Sequence, residues 1–532
     1  MAKYSSTVQA KDRTALTTTE AETLTHEGAP AHLKDARTEL FTLSVTSMTN
    51  EDAFYEDAAE RDGRLRGLVG LLTVEDPGFI QKLVPYLRNT ANMRSAPLVI
   101  AAEYALAGGP NRRQVIRAAM ARADEPAEFV GYYMRRTGRK TLPAAIQRGV
   151  ADAIRDLWTE YGVLKYDSNR HDLRMADVIE LVHPGSRTDF DQGSLYQWIL
   201  DRRHHGSDVR TSVETLPMIK ARQELEAVEP AQRREILKAV QGKAPVASHE
   251  AIALAQDAFE KAGVTWEYLS GWIPGGMDAE AWEGVIPSMG YMALLRNLRN
   301  FDQAEISSDH VKYVKSVLED PVQVAKSRQF PFRFWSAWRA TESVEWGQVL
   351  ETALHLSTSN IPEFEGTTLV LIDVSASMTN ALISGRSTVT NANVAALFGA
   401  ATFWKNPKTT RVAVFGSDSK DVTPKARGSI LRIMDKFSLN HGVGHGTELA
   451  KAVMSQYQEE DRIVIFTDLQ THDGGASGKA RFVHYFDLAG YSGVPDETGH
   501  GAFLYGGFTD ATFRQMALHE LTRTSDWDTI LS

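Results

Sequence analysis

Five oxygen-bearing residues have the types and spacing to hold a hard metal ion. Asp373-Val-Ser375-Ala-Ser377 follows directly on the apolar run Thr367-Thr-Leu-Val-Leu-Ile. A carboxylate and two hydroxyls at i, i+2 and i+4 converge on one point where a chain turns out of a strand. Hard oxygens with few charges suit Mg²⁺. Two more donors are expected from neighbouring strand ends. Thr447 follows Gly446 in the glycine-rich stretch HGVGHGTEL, and Asp468 closes the apolar run RIVIFT. The plainer reading makes Ser375 and Ser377 caps of one helix and Asp468 the cap of the next. Three donor groups at matching strand ends favour the metal site Asp373, Ser375, Ser377, Thr447 and Asp468. This set has no built-in nucleophile or general base, so its chemistry is binding and not catalysis.

Basic residues form the second kind of candidate. Residues 111–150 carry nine basic side chains against three acidic ones. Arg112, Arg113 and Arg117 fall within about a turn and a half of helix. Arg135, Arg136, Arg139 and Lys140 gather around Gly138, beside Tyr132 and Tyr133, whose rings can stack on bases. The preponderance of Arg suits bidentate phosphate contacts. A second cluster is Lys165, Arg170, His171, Arg174 and His183, interleaved with Asp167, Asp172 and Asp177, and followed by Arg202, Arg203, His204 and His205. A third is Arg296 and Arg299, then Lys326, Arg328, Arg333 and Arg339 among Phe330, Phe332, Phe334, Trp335 and Trp338. The aromatics there read as core and the arginines as the outward partners. Against each cluster stands the ordinary alternative of a solvated helix face.

The elements that must position these residues are of two kinds. Residues 1–34 are polar and Thr/Glu-rich and read as a flexible N-terminal arm. From 35 to 364, apolar residues recur at three- and four-residue spacing (Leu65, Leu68, Leu72; Leu83, Leu87; Val178, Leu181, Val182), cut by Pro and Gly into short helices. So many short helices cannot share one bundle core. Stacked helix pairs, an α-solenoid, solve the burial problem. From 365 to 532, apolar runs alternate with helices. Strands near 411–416, 462–467, 481–488 and 502–506 imply a doubly wound α/β domain, whose ligands bind at the carboxyl ends of the strands.

The combination resembles the Ro ribonucleoprotein family, a TROVE helical-repeat domain followed by a von Willebrand factor A domain. The stretches that carry the likeness are YLRNTANMRSAPLVIAAEYAL (86–106), ELVHP (180–184), VTWEYL (264–269), YMALLRNLRNF (291–301), FPFRFWSAW (330–338) and LVLIDVSASM (369–378). The resemblance implies a HEAT-like repeat ring, of a bacterial or phage type, that scaffolds RNA and is no enzyme. It implies a Y-type small noncoding RNA on an outer basic face, and 3′ ends of structured or misfolded RNA in the hole, in quality control or processing. It implies an exoribonuclease partner, and for the A domain a metal-ion-dependent adhesion site that takes an acidic ligand from a partner. In the family a Lys, an Arg and a His leading into a Leu-x-His-Pro-like end contact the structured RNA. The matching His is His183 and the matching Arg is Arg170. Tyr166 occupies the expected Lys position, with Lys165 adjacent. A Gly-Gly-Thr-Tyr-like segment common in relatives is here Thr46–Tyr55, of different sequence.

Composition narrows the remaining choices. The chain has 532 residues, a net charge of −10 and no cysteine. Thiolate chemistry, disulfides and cysteine-ligated zinc are excluded, in keeping with a cytoplasmic monomer. No apolar run is long enough to span a membrane, and the N-terminus lacks the apolar core of a signal peptide. The acidic balance argues against indiscriminate nucleic-acid binding. It also keeps alive the alternative of a metal-dependent protein-interaction module without RNA binding. GGASGKA (474–480) is one residue short of a phosphate loop, and His441 and His445 lack a third ligand for zinc.

Overall fold

The computed structural model describes residues 23–46, 55–168, 173–187, 191–206, 209–240, 259–341, 343–358, 361–384, 387–476, 478–497, 501–507, 512–522 and 527–531. The chain forms two compact units. One comprises residues 1–109, 328–336 and 350–532, the other 110–327 and 337–349. Among the described residues no helix is long and apolar enough to cross a membrane.

The second unit is helix upon helix, from Arg112–Ala118 through Glu125–Thr137, Ala144–Leu157, Glu160–Tyr166, Met175–Val182 and Gln192–His205 to Tyr291–Ala304 and Ser308–Leu318. Each buries one stripe. In Ala144–Leu157 the buried residues are Ile146, Gly149, Val150, Ala153 and Ile154, the spacing of a single helical face. Caps set the ends. The Thr159 hydroxyl accepts from the Gly162 amide to start Glu160–Tyr166, and Thr265 does the same for Trp266–Trp272. Between helices, fully buried Trp158 donates its indole N–H to the Ala123 carbonyl at 2.9 Å.

The first unit is built on a six-stranded sheet. Across the sheet its strands are β5 (Ser419–Asp421), β4 (Thr410–Phe415), β3 (Thr368–Asp373), β6 (Arg462–Thr467), β7 (Phe482–Asp487) and β9 (Ala502–Gly506), in that order. All neighbours are parallel except β5, an antiparallel edge strand on β4. The doubly wound domain expected from the sequence is present; the short β5 was not foreseen. β3, β6 and β7 are buried at every position, as strands covered on both faces must be. Strand order reverses between β3 and β6. That crevice is where such sheets keep their ligand site.

Two features depart from the sequence reading. β1 (Thr23–Leu24) and β2 (Pro30–Leu33) form a three-stranded antiparallel sheet with β8 (Gly493–Val494). The segment read as the end of a flexible arm is therefore structured over 23–33; residues 1–22 lie outside the described residues. The helices of 36–106, read as the start of the repeat region, belong to the unit of the sheet. Helix Ala36–Thr46 is buried from Glu39 to Thr46 on all sides, which only an interior position allows. Arg61 and Arg64 donate to the Ala489 and Gly490 carbonyls at 2.7 Å each. Lys34 pairs with Asp487 at 2.6 Å, both side chains fully buried. These long-range polar contacts have no periodicity to betray them.

Candidate metal centre and nucleic-acid interface

The metal candidates converge. β3 ends at Asp373, and the chain turns into the short helix Ala376–Asn380. Asp373 Oδ1 accepts from the Ser375 amide at 2.9 Å, and Asp373 Oδ2 accepts from the Thr467 hydroxyl at 2.6 Å. The Ser375 and Ser377 hydroxyls lie 3.2 Å apart. Ser375 stands at the N-cap position, yet its side chain makes no capping bond. Asp468 Oδ1 takes the Gln470 amide at 3.1 Å in a turn, and the next described helix begins only at Thr512. The capping alternative is thus not what these side chains do.

Thr447 arrives by close backbone approach. The Ala376 amide donates to the His445 carbonyl at 3.0 Å and the Glu448 amide to the Gly416 carbonyl at 2.9 Å. A Cβ on Gly416 would stand 2.4 Å from the Gly444 carbonyl oxygen, so only glycine lets this loop seat. The Thr447 carbonyl accepts from the His472 amide at 2.8 Å. None of Asp373, Ser375, Ser377, Thr447 and Asp468 is more than 2% exposed.

Burial pushes both carboxyls above the ordinary aspartate range. For Asp373 burial acts against the hydrogen bonds from Ser375 and Thr467. Asp468 rises further, because the charge of Asp373 adds to its burial. Two buried carboxyls in electrostatic contact favour a shared proton or a bound cation over two free charges. Hard oxygen donors of this kind fit a divalent ion such as Mg²⁺.

The N-terminal segment closes over this site. Thr25 Oγ1 donates to the Thr471 carbonyl at 2.7 Å and the His26 amide to Gln470 Oε1 at 2.6 Å. His472 Nε2 lies 2.8 Å from a Glu27 carboxylate oxygen. The Tyr55 hydroxyl donates to the other Glu27 oxygen. Nothing in the sequence marks Glu27 or Tyr55; each lies more than 300 residues from the donors it covers.

The basic candidates divide into two groups. Arg113 is bidentate to Asp152, with 2.6 and 2.9 Å contacts, and Arg117 Nε lies 2.6 Å from Asp156. Both carboxylates sit on the facing helix, just outside the window whose charge was counted. Arg174 is bidentate to Asp167, and Arg203 pairs with Asp177 at 3.1 Å. Arg112 is half-buried at the start of its helix. Arg135, Arg136, Arg139, Lys140 and Arg148 are exposed, as is Arg113. The first two end helix Glu125–Thr137, which Gly138 closes at φ 67° with its amide on the Met134 carbonyl at 2.8 Å. Arg296 and Arg299 are exposed one turn apart on Tyr291–Ala304, while Phe332, Phe334 and Trp335 are buried, as their core assignment requires.

His183 is exposed and ends helix Met175–Val182 at φ 51°, a left-handed position unusual for histidine. Exposed Lys165 lies over the Tyr161 and Tyr166 rings, 5.3 and 5.4 Å from their centroids. Arg170 lies outside the described residues.

The fold and the two sites define a protein of stacked helices joined to a doubly wound α/β domain with an oxygen-only site at its switch point. The TROVE domain family matches residues 18–389, and the chain belongs to that family. A crystal structure of the Ro (RSR) protein of Deinococcus radiodurans has the same fold. Its TM-score is 0.59 at 17% identity, covering 90% of this chain and all of that one. Telomerase protein component 1 of Mus musculus is 39% identical over 72 residues, 13% of this chain and 3% of the mouse protein. The Rattus norvegicus protein matches equally. The chain therefore spans only a small part of these curated relatives.

Proposed function

We propose that the protein is an RNA-binding scaffold of the Ro type. The observation that carries it is the exposed group Arg135, Arg136, Arg139 and Lys140 at one helix end, within a chain of TROVE membership. Exposed arginines around a helix terminus suit phosphate binding. The acidic remainder of the chain confines that attraction to one surface. The likeness to proteins named Ro and telomerase protein component 1 supports the same reading. In its finer form, a Y-type RNA lies on an outer basic face with His183 and Lys165. A single-stranded 3′ end of a misfolded RNA is taken separately, and an exoribonuclease acts as partner.

The α/β unit supplies the second half of the proposal. Asp373, Ser375, Ser377, Thr447 and Asp468 would hold a divalent ion, most simply Mg²⁺. Such an ion offers a coordination position to an acidic side chain of a partner protein. The raised pKa of the paired carboxyls supports this. Neither half needs a catalytic group.

Filter binding with a structured RNA and with the same RNA carrying a single-stranded 3′ tail tests the first half. Retention of both at low salt is expected. No retention of either would sink the RNA reading and leave the metal-dependent protein module as the function.

A further inference from the structure

The five metal candidates stand at the open edge of the sheet, where ligands normally enter, yet they are sealed from solvent. The seal comes from the chain's own N-terminal segment. The Thr25–Ala29 turn is closed by the Thr25 amide on the Ala29 carbonyl at 2.9 Å and the Ala29 amide on Thr25 Oγ1 at 3.0 Å. It is pinned to the loop after β6 through Thr471, Gln470 and His472. Tyr55 completes the cover. Its amide donates to the Tyr491 hydroxyl at 3.1 Å, and its ring stacks on His26 at 5.2 Å. Its hydroxyl donates to the Glu27 carboxylate.

We propose that the Thr25–Ala29 turn and Tyr55 form a built-in lid on the metal site. Glu27 is then the chain's own carboxylate at its mouth, which an acidic partner must displace. The inference rests on the metal reading for its ligand, but the lid itself rests on geometry. A carboxylate held by His472 and Tyr55 beside the loop that follows Asp468 is chemically what an acidic partner would bring. Hydrogen bonds from Thr25 and His26 to the loop after β6, contacts of Glu27 with His472 and Tyr55, and ring contacts of His26 with Tyr55 and Tyr491 hold the turn. Such contacts can be broken without unfolding the sheet.

The chain has no cysteine, so a single introduced thiol reports access to the site without any metal. In Ser377→Cys the thiol should react slowly with iodoacetamide. Adding Tyr55→Phe or Glu27→Gln should speed alkylation about tenfold, the effect of losing one hydrogen bond to a charged group. Ala413→Cys, fully buried in the same sheet, should stay unreactive in both backgrounds. Unchanged Ser377→Cys rates would overturn the lid. So would equal acceleration at Ala413→Cys, which would mean general loosening. In the otherwise intact chain, Tyr55→Phe should also shorten Mn²⁺ residence, read by EPR after EDTA addition, about tenfold. Wild-type protein that binds no Mn²⁺ would defeat the metal reading, while the thiol rates would still decide the lid.

Discussion

The arginines gathered at the end of helix Glu125–Thr137 and those that hold aspartates of the facing helix predict a specific pattern of salt dependence. Arg135, Arg136 and Arg139 are exposed at a helix end, whereas Arg113 and Arg117 hold Asp152 and Asp156 at 2.6 Å. Each phosphate neutralised on single-stranded RNA contributes about −0.7 to the slope of log K against log salt. Replacing Arg135, Arg136 and Arg139 together by Gln should therefore flatten the slope by roughly 2. Between about 50 and about 200 mM salt, the wild-type advantage should shrink roughly 20-fold by the same relation. Replacing Arg113 and Arg117 by Gln should flatten it by less than about 0.5, because aspartates already occupy those guanidinium groups. Filter binding of a 3′-tailed RNA at four salt concentrations measures both slopes. A triple variant with the wild-type slope, or a double variant as flat as the triple, would refute the assignment of phosphate contact to the helix-end arginines.

The other predictions concern the first unit. Asp373→Asn should stabilise the metal-free protein at a pH above about 8, where both buried carboxyls would otherwise be charged, and should abolish any rise in melting temperature on adding Mg²⁺; a variant melting below wild type there without metal would contradict the electrostatic account. Lys34→Met should cost about 3–5 kcal/mol, since it strands the buried Asp487 charge; urea unfolding measures it, and a cost below about 1 kcal/mol would show that Asp487 finds another partner. Stability should also fall with acid. Burial, with neighbouring His484, holds His519 down at about 4, and burial likewise lowers His484. The unfolded chain thus takes up protons that the folded one refuses, so stability is lost as pH drops from about 6.5 toward 4. Glu520 adds to this lower down: burial would raise it, but His484 and Arg462 pull it to about 2. His519→Gln should flatten the melting curve across the upper window, and an unchanged pH profile would exclude His519 as the cause.

How legible the sites were follows from the range of the forces involved. Asp373, Ser375 and Ser377 could be read because strand, turn and alternation are local: five consecutive residues place three oxygens. Asp468 was legible because a buried parallel strand must be apolar and must end, and its last residue reaches the sheet edge. Thr447 was legible from the glycines before it, although the clash that demands glycine at Gly416 involves residues far along the chain. The charge window 111–150 misled for the opposite reason. Asp152 and Asp156 lie beyond it in sequence but on the facing helix, and ion pairing ignores the window's edge.

The amino-acid sequence by itself determined the alternation of elements, hence stacked helices and a doubly wound sheet, and the chemical class of each candidate site. Periodicity records which face each element buries, and that is a local property. Tertiary structure alone decided which arginines remain exposed, which carboxyls lose their solvent and rise in pKa, and what packs beside the candidate oxygen donors. Those outcomes depend on contacts between residues hundreds of positions apart. Thr25 bonding Thr471 across 446 residues is the plainest example. A hydroxyl, an amide and a carbonyl carry no periodic signature, so only folding could bring Glu27 and Tyr55 over Asp373 and Ser377.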